Sequence, residues 1–190
     1  ATGLLKMYNS KVTNNIATGN GGGFYIRQST NKIELYDILI TQNSAVTKGG
    51  GIYVYDAKPR IERSLFEGNA SKNGGAIYVD RPNAELNLIN GVLYNNTATE
   101  YGSAIFSYYQ STANIYHTTI SNNTAGLDAT IRPDYGSKIY FYNSILWNNT
   151  ATNQIAFGGT QNTAGRFEAK NSIIQGLSNI QISNNIDTVD

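Results

Sequence analysis

Two carboxylates, Asp56 and Asp80, are the side chains best placed for catalysis in this sequence of 190 residues. Each directly follows a glycine-rich segment, GGGIYVY before Asp56 and GGAIYV before Asp80. If these segments lie side by side, the carboxylates approach to roughly 5–6 Å, as in the acid pair of a retaining glycosidase. Such a pair could also bind Ca²⁺, although three or more acids would be usual. A polysaccharide lyase or hydrolase is therefore one hypothesis, and the sequence predicts no further catalytic residue and no metal site.

Aromatic residues recur at the same place after the glycines, which suggests binding rather than catalysis. We expect six of them to face outward as an exposed, stacked platform: Tyr25, Tyr53, Tyr55, Tyr78, Phe106 and Tyr108. Sugar rings stack on such faces, so a carbohydrate-binding module is a second hypothesis. The alternative is that these residues are strand formers that pack on their neighbours. If they are exposed, Tyr53→Ala with Tyr78→Ala should spare folding and abolish glycan binding.

An internal repeat sets the positions of these residues. An apolar-x-x-Asn pattern occurs six times, and its asparagines recur at intervals of 26 to 28 residues. They are Asn15, Asn43, Asn69, Asn96, Asn123 and Asn149. Asparagine tolerates turn conformations, and one amide per repeat can donate to the carbonyl of the next. The column therefore predicts a structural asparagine ladder, ending where Leu177 replaces the asparagine.

Each repeat contains short runs in which apolar and polar residues alternate, which is typical of strands. A unit of about 27 residues cannot bury its apolar face alone, but stacked copies can. The sequence thus predicts an all-β fold, a right-handed parallel β-helix of about six to seven coils. A leucine-rich repeat, the main rival at this length, would need an L-x-x-L-x-L signature that is absent.

The composition excludes several functional classes. Lys and Arg number 14 against 13 Asp and Glu, so there is no basic stripe for nucleic acid. The chain has no cysteine and one histidine, which excludes thiolate and two-histidine metal sites. No apolar run approaches the roughly 18 residues of a membrane helix, so we expect no membrane insertion by this segment. We predict no cofactor.

The repeat motifs resemble a known family. GGGIY (Gly49–Tyr53) and GGAIY (Gly74–Tyr78), with FEGN, ITQN and LYNN before the strands, are similar to the GGA-aliphatic and FxxN motifs of chlamydial polymorphic outer membrane proteins. They also resemble right-handed β-helix repeats of large bacterial surface proteins, including those with a choice-of-anchor Q region. The resemblance is strongest over Val12–Phe106 and weaker at DATI and NQIAF, where the glycine pair is lost. It implies a secreted or surface-exposed protein, and several such proteins are adhesins.

These observations favour a non-enzymatic module of an extracellular or cell-surface protein, used for adhesion or as a rigid spacer. Residues 1–190 are expected to form a single β-helix domain. Neither end shows a capping element, so we expect a fragment of a longer chain, with neighbouring domains as partners. A glycan or a protein of the host or cell surface is the expected ligand.

Overall fold

The chain coils into four parallel β-sheets that run side by side along one axis. The structure, a computed structural model, describes residues 3–28, 32–160, 163–176 and 186–189. These residues form 26 short strands, numbered β1 to β26 along the chain, and no helix. Every strand pairs in parallel with the equivalent strand of the next coil. The predicted fold is confirmed as an all-β parallel solenoid of about six turns of ~27 residues.

The first two sheets hold the strands that precede each ladder asparagine. The first sheet consists of β1 (Leu4–Tyr8), β5 (Lys32–Tyr36), β9 (Pro59–Glu62), β13 (Glu85–Ile89), β17 (Thr112–Tyr116), β21 (Lys138–Tyr142), β24 (Arg166–Lys170) and β26 (Ile186–Val189). The second consists of β2 (Lys11–Thr13), β6 (Leu39–Thr41), β10 (Leu65–Glu67), β14 (Val92–Tyr94), β18 (Thr119–Ser121), β22 (Ile145–Trp147) and β25 (Ile173–Ile174).

The other two sheets follow the asparagine. The third sheet consists of β3 (Ile16–Ala17), β7 (Ser44–Ala45), β11 (Ala70–Asn73), β15 (Thr97–Tyr101) and β19 (Thr124–Ala125). The fourth follows the glycine motif and consists of β4 (Phe24–Arg27), β8 (Ile52–Tyr55), β12 (Ile77–Asp80), β16 (Ile105–Tyr108), β20 (Ala129–Pro133) and β23 (Asn153–Ile155). The four sheets enclose one narrow interior.

The interior is filled by columns of equivalent apolar residues. In the first sheet, Ile61 pairs with Leu88 and Leu88 with Ile115, and all three are fully buried. Because side chains alternate between the two faces of a strand, every second residue joins such a column. Stacking one coil on the next removes these columns from water, which no single coil could do.

The ladder asparagines bond each coil to both of its neighbours. Asn69 is fully buried and donates from its backbone N–H and its Nδ2 to Oδ1 of Asn96, at 3.0 and 2.9 Å. Its Nδ2 also donates to the carbonyl of Ile40 in the preceding coil, at 2.8 Å. Asn43, Asn96 and Asn123 make the same three bonds. Every polar atom of the buried amide side chain is thus satisfied.

The ladder continues past its last predicted member through a different residue type. Nδ2 of Asn149 donates to Oε1 of Gln154 at 3.1 Å, so a glutamine from the same coil supplies the acceptor that the next asparagine would provide. The repeat pattern alone does not reveal this substitution. Leu177, where the sequence predicts the column to end, lies outside the described residues.

A second polar column, of hydroxyl groups, occupies the corner between the first two sheets. Backbone N–H groups of Ile38, Thr118 and Ser144 donate to side-chain hydroxyls one coil further on, at 3.0–3.1 Å. Ser64 and Ser144, two of the accepting residues, donate in turn to the carbonyl two positions earlier in their own coil. The hydroxyl column was not predicted from the sequence, and it satisfies backbone groups that the sheets leave unpaired at this corner.

The ladder predicts that substituting a buried asparagine destabilises the fold much more than substituting an exposed one. Asn96→Ala leaves two buried donors of Asn69 without an acceptor, so we expect a loss of about 3 kcal/mol or more in unfolding free energy. Asn15 donates in the same way to Asn43 but is exposed, so Asn15→Ala should cost under about 1 kcal/mol. Urea denaturation of both variants measures the difference, and equal losses would contradict a buried ladder.

A buried carboxylate on the outside of the first sheet makes folding sensitive to pH. Glu34 is 3% exposed and lies between the ammonium groups of Lys32 and Lys6, the latter 3.1 Å away. Hydrogen bonds from Lys32 and then Lys6 lower the pKa of Glu34 to about 2. The unfolded chain has a glutamate pKa of about 4.3, so ionised Glu34 stabilises the fold above that pH. The stabilisation is lost as the pH falls toward 2.

Glu34→Gln is therefore expected to lower the melting temperature at pH 7 and to change it little near pH 2, where the wild-type carboxylate is itself being protonated. Glu85→Gln is the matched control, because its contact with Lys58 at 3.3 Å is exposed and should contribute little. Thermal unfolding followed by circular dichroism at both pH values tests this. If the melting temperature of the Glu34 variant is still below that of the wild type at pH 2, the loss of stability comes from packing and not from the charge.

Candidate functional site

The outer surface of the fourth sheet carries the predicted functional residues, and we call it the aromatic face. Strand register places Tyr25, Tyr53, Tyr78 and Phe106 in one outward column, here called the inner column. Two residues further along each strand, a second column holds Arg27, Tyr55, Asp80 and Tyr108. The parallel register places equivalent residues of successive coils one above another, as the repeat spacing predicts.

The glycine motif brings the chain into the fourth sheet. Gly49 has φ +63°, a backbone conformation that side chains other than glycine rarely adopt. A Cβ on Gly50 would clash with the backbone carbonyl oxygens of Ala70 and Gly75 in the next coil. The motif therefore lets the backbones of two coils pack closely at this corner. The strands that follow the motif pair in register from one coil to the next.

The inner column is mostly buried, contrary to the expectation of an exposed platform. Tyr53 and Tyr78 are each 3% exposed and Phe106 is 4% exposed, whereas Tyr25 is 46% exposed. Rings from neighbouring positions cover the three buried ones, namely Tyr55, Tyr101 and Tyr108. The rings contact each other edge to face. The ring centres are 5.5 Å apart for Tyr53 and Tyr78 and 4.9 Å apart for Tyr78 and Phe106. They form a second hydrophobic cluster outside the solenoid interior.

Asp80 is held inside this cluster. It is 2% exposed, and its Oδ2 accepts a hydrogen bond from the Tyr53 hydroxyl at 2.8 Å and from Lys48 Nζ at 3.2 Å. Burial, and then the bond to Asp80, raise the pKa of Tyr53 above its usual value. Burial likewise raises the pKa of Tyr78, with the Asp80 charge as the second cause. Both phenols therefore stay protonated and act as donors or packing groups.

Asp56 occupies a different environment from its predicted partner. It lies half-buried in the turn after β8, with φ +53°, and its backbone N–H donates to the Asp80 carbonyl at 3.0 Å. The two residues are thus neighbours, as the repeat predicts, but Tyr53 and Lys48 close off the Asp80 carboxylate. A glycosidase needs both carboxyl groups to reach the substrate. The burial and hydrogen bonds of the Asp80 carboxylate thus give it a structural environment.

The outer edge of the aromatic face combines residues of the second column with residues of the turn that follows it, and arginines alternate there with tyrosines. The Arg81 guanidinium lies 5.2 Å from the Tyr55 ring centre and 5.3 Å from that of Tyr109, between the two rings. Arg81 Nε also donates to the Tyr55 hydroxyl at 3.1 Å, and Arg27 lies 5.7 Å from the Tyr55 ring centre. We call Arg27, Tyr55, Arg81 and Tyr109 the Arg–Tyr strip.

Two exposed tyrosines of this surface were not among the predicted site residues. Tyr109 is 42% exposed and Tyr135 is 45% exposed, and both follow a strand of the fourth sheet with φ near +50°. Alignment of the repeats places both beside the second column, at the position of Asp56 and Arg81 in earlier coils, and this is the signal that could have revealed them. Tyr108, which the sequence did single out, is half-buried and contacts Tyr135 at 5.1 Å between ring centres.

Two further findings concern ions and membranes. In the part of the chain that the structure describes, no three His, Asp or Glu side chains converge in a way that could hold a metal ion. The described residues also include no helix of the length and hydropathy that crossing a membrane requires.

The fold and its motifs define a class of protein, a parallel β-solenoid built from glycine-motif repeats. Residues 37–55 and 63–80 match the model of the Chlamydia polymorphic membrane protein repeat. No curated protein and no solved structure matches the chain significantly. The match and the solenoid fit the suspected β-helix repeat family. They indicate a module of a surface protein and, coarsely, a location at the cell surface.

The burial of the inner column changes the expected effect of substituting it. Tyr78→Ala removes a ring that packs between Tyr53 and Phe106, so we expect a loss of about 3 kcal/mol in unfolding free energy. Tyr109→Ala, at an exposed ring of the same surface, should cost under about 1 kcal/mol. Chemical denaturation compares the two. If the Tyr78 variant were as stable as the Tyr109 variant, the result would support an exposed aromatic platform and contradict a buried inner column.

Proposed function

We propose that this chain is a non-enzymatic adhesion module that binds a protein ligand through the Arg–Tyr strip. The observation that carries the proposal is that exposed guanidinium groups alternate along the solenoid axis with the half-buried ring of Tyr55 and the exposed ring of Tyr109. Tyrosine and arginine are enriched among the residues that dominate protein–protein binding energy. The buried ring cluster beneath the strip holds it in one conformation, which lowers the entropy lost on binding.

The packing of the strip favours a protein ligand over a sugar. Sugar rings stack on the open faces of aromatic side chains. Two arginines, Arg27 and Arg81, already lie over the Tyr55 ring, which leaves ring edges and guanidinium N–H groups for a partner. These groups suit backbone carbonyls, carboxylates and apolar side chains of another protein.

The test uses binding of the purified chain to immobilised cell-surface and matrix proteins, with a glycan array in parallel. Arg81→Ala and Tyr109→Ala are expected to weaken binding to a protein ligand about tenfold or more while leaving the melting temperature nearly unchanged. Tyr94→Ala is the matched control, because Tyr94 is 38% exposed but lies on the second sheet.

Three outcomes would contradict the proposal. Retention by glycans alone would indicate a carbohydrate-binding module. Equal binding by all variants would place the ligand site elsewhere. No binding to any protein would leave a rigid spacer.

A further inference from the structure

The second sheet presents a surface to solvent on another side of the solenoid from the aromatic face. In β14, β18 and β22, the residues on either side of a buried apolar residue point outward, and strand register stacks them in two columns. One column holds Val92, Thr119 and Ile145, and the other holds Tyr94, Ser121 and Trp147. We call these six residues the neutral face, since none of them is charged.

The two aromatic rings of the neutral face carry no other ring and no cation. Tyr94 is 38% exposed and Trp147 is 48% exposed. Among the described residues, neither side chain stacks on an aromatic ring or lies beneath a guanidinium or ammonium group. This differs from Tyr55 in the Arg–Tyr strip, over which two arginines lie. Tyr94 and Trp147 thus keep ring surface on which the C–H face of a sugar can stack.

The spacing of the two rings selects the shape of such a ligand. Tyr94 and Trp147 stand in one column with Ser121 between them, so they are two coils apart, about 10 Å at the strand spacing of ~4.8 Å. Successive sugars of an extended β-1,4-linked chain advance by nearly one coil spacing and turn over at each step. Every second sugar therefore presents the same face, and a chain along the solenoid axis would place one such sugar on each ring.

Polar side chains border the neutral face on both sides. Each turn after the three strands contributes one amide in a left-handed backbone conformation, namely Asn95, Asn122 and Asn148. Each turn before them contributes a further polar side chain, namely Asn90, His117 and Asn143. Nδ2 of Asn148 donates to Oδ1 of Asn122, so the amides stack in register with the coils. Because an amide both donates and accepts hydrogen bonds, these borders suit the hydroxyl groups along the edges of a sugar chain.

The lack of charge distinguishes this part of the second sheet from its earlier coils. The earlier strands carry Lys11 and Glu67, and the turns before them carry the ion pair of Arg63 with Asp37. Residues 90–95, 117–122 and 143–148, which form the neutral face and its borders, include no Lys, Arg, Asp or Glu. A sulfated or uronic polysaccharide would lose hydration there without gaining an ion pair, so an uncharged ligand is favoured.

We propose that the neutral face binds an uncharged, extended β-1,4-linked polysaccharide that lies along the solenoid axis. Tyr94 and Trp147 stack on alternate sugars, Ser121 faces the sugar between them, and the bordering amides bond the hydroxyl groups. The site lies on a different sheet from the Arg–Tyr strip, so neither proposal depends on the other.

Tryptophan fluorescence tests the proposal in the wild-type chain, because Trp147 is the single tryptophan of the sequence. The probes are β-1,4-linked hexasaccharides of glucose, xylose, mannose and N-acetylglucosamine. We expect at least one of them to shift the Trp147 emission to shorter wavelength in a saturable way. Maltohexaose, which is α-1,4-linked and curved, is the matched control ligand and should cause no shift. No shift with any of the four probes, or an equal shift with maltohexaose, would overturn the proposal.

Calorimetric titration of variants with the responding hexasaccharide locates the site. Tyr94→Ala and Trp147→Ala should each weaken binding about tenfold or more and leave the melting temperature nearly unchanged, because both rings are exposed. Tyr109→Ala, at an exposed ring of the aromatic face, is the matched control and should bind as the wild type does. Full binding by both ring variants of the neutral face, or loss of binding in Tyr109→Ala, would overturn the proposal.

The length of the ligand gives a second readout on the wild-type chain. The disaccharide of the responding sugar cannot reach both rings, so we expect it to bind at least about tenfold more weakly than the hexasaccharide. Equal affinity for the two lengths would contradict a site that uses both Tyr94 and Trp147.

Discussion

The hydrogen bonds that pass from one asparagine amide to the next impose the constraint on which the rest of the structure depends. Each buried amide must find its acceptor one coil further on, as Asn69 finds Asn96 and Asn96 finds Asn123. A coil that shifted by one residue would leave donors unsatisfied and would turn its apolar side chains outward. The ladder therefore sets the register of the strands that flank each asparagine.

The same register creates the aromatic face. Because equivalent residues lie one above another, tyrosines at one position of the repeat build a cluster that no single coil could form. The inner column becomes a second hydrophobic layer that encloses the Asp80 side chain. Arg81 and Tyr109, at the turn one residue further on, remain at the surface. The supporting layer thus lies on the strands, whereas the exposed residues lie in the turns that follow them.

The sequence was sufficient to predict the features that repeat and insufficient for those that do not. The apolar columns and the parallel pairing follow from spacing and alternation, so the repeat pattern by itself predicts the solenoid. The burial of Tyr53, Tyr78 and Phe106 does not follow from the pattern, because it also depends on Tyr101 of the third sheet, which covers these rings together with Tyr55 and Tyr108. Likewise, Gln154 takes an asparagine's place through a contact made within its own coil.

Amide hydrogen exchange measured residue by residue tests the central claim most directly, namely that stacked asparagine amides hold the coils in register. The backbone N–H groups of Asn43, Asn69, Asn96 and Asn123 each donate to a buried side-chain oxygen. The account predicts that these four amides exchange among the slowest in the chain and at similar rates, because they open only when the coils separate. Exchange as fast as that of the exposed turns would contradict the ladder as the element that holds the fold together.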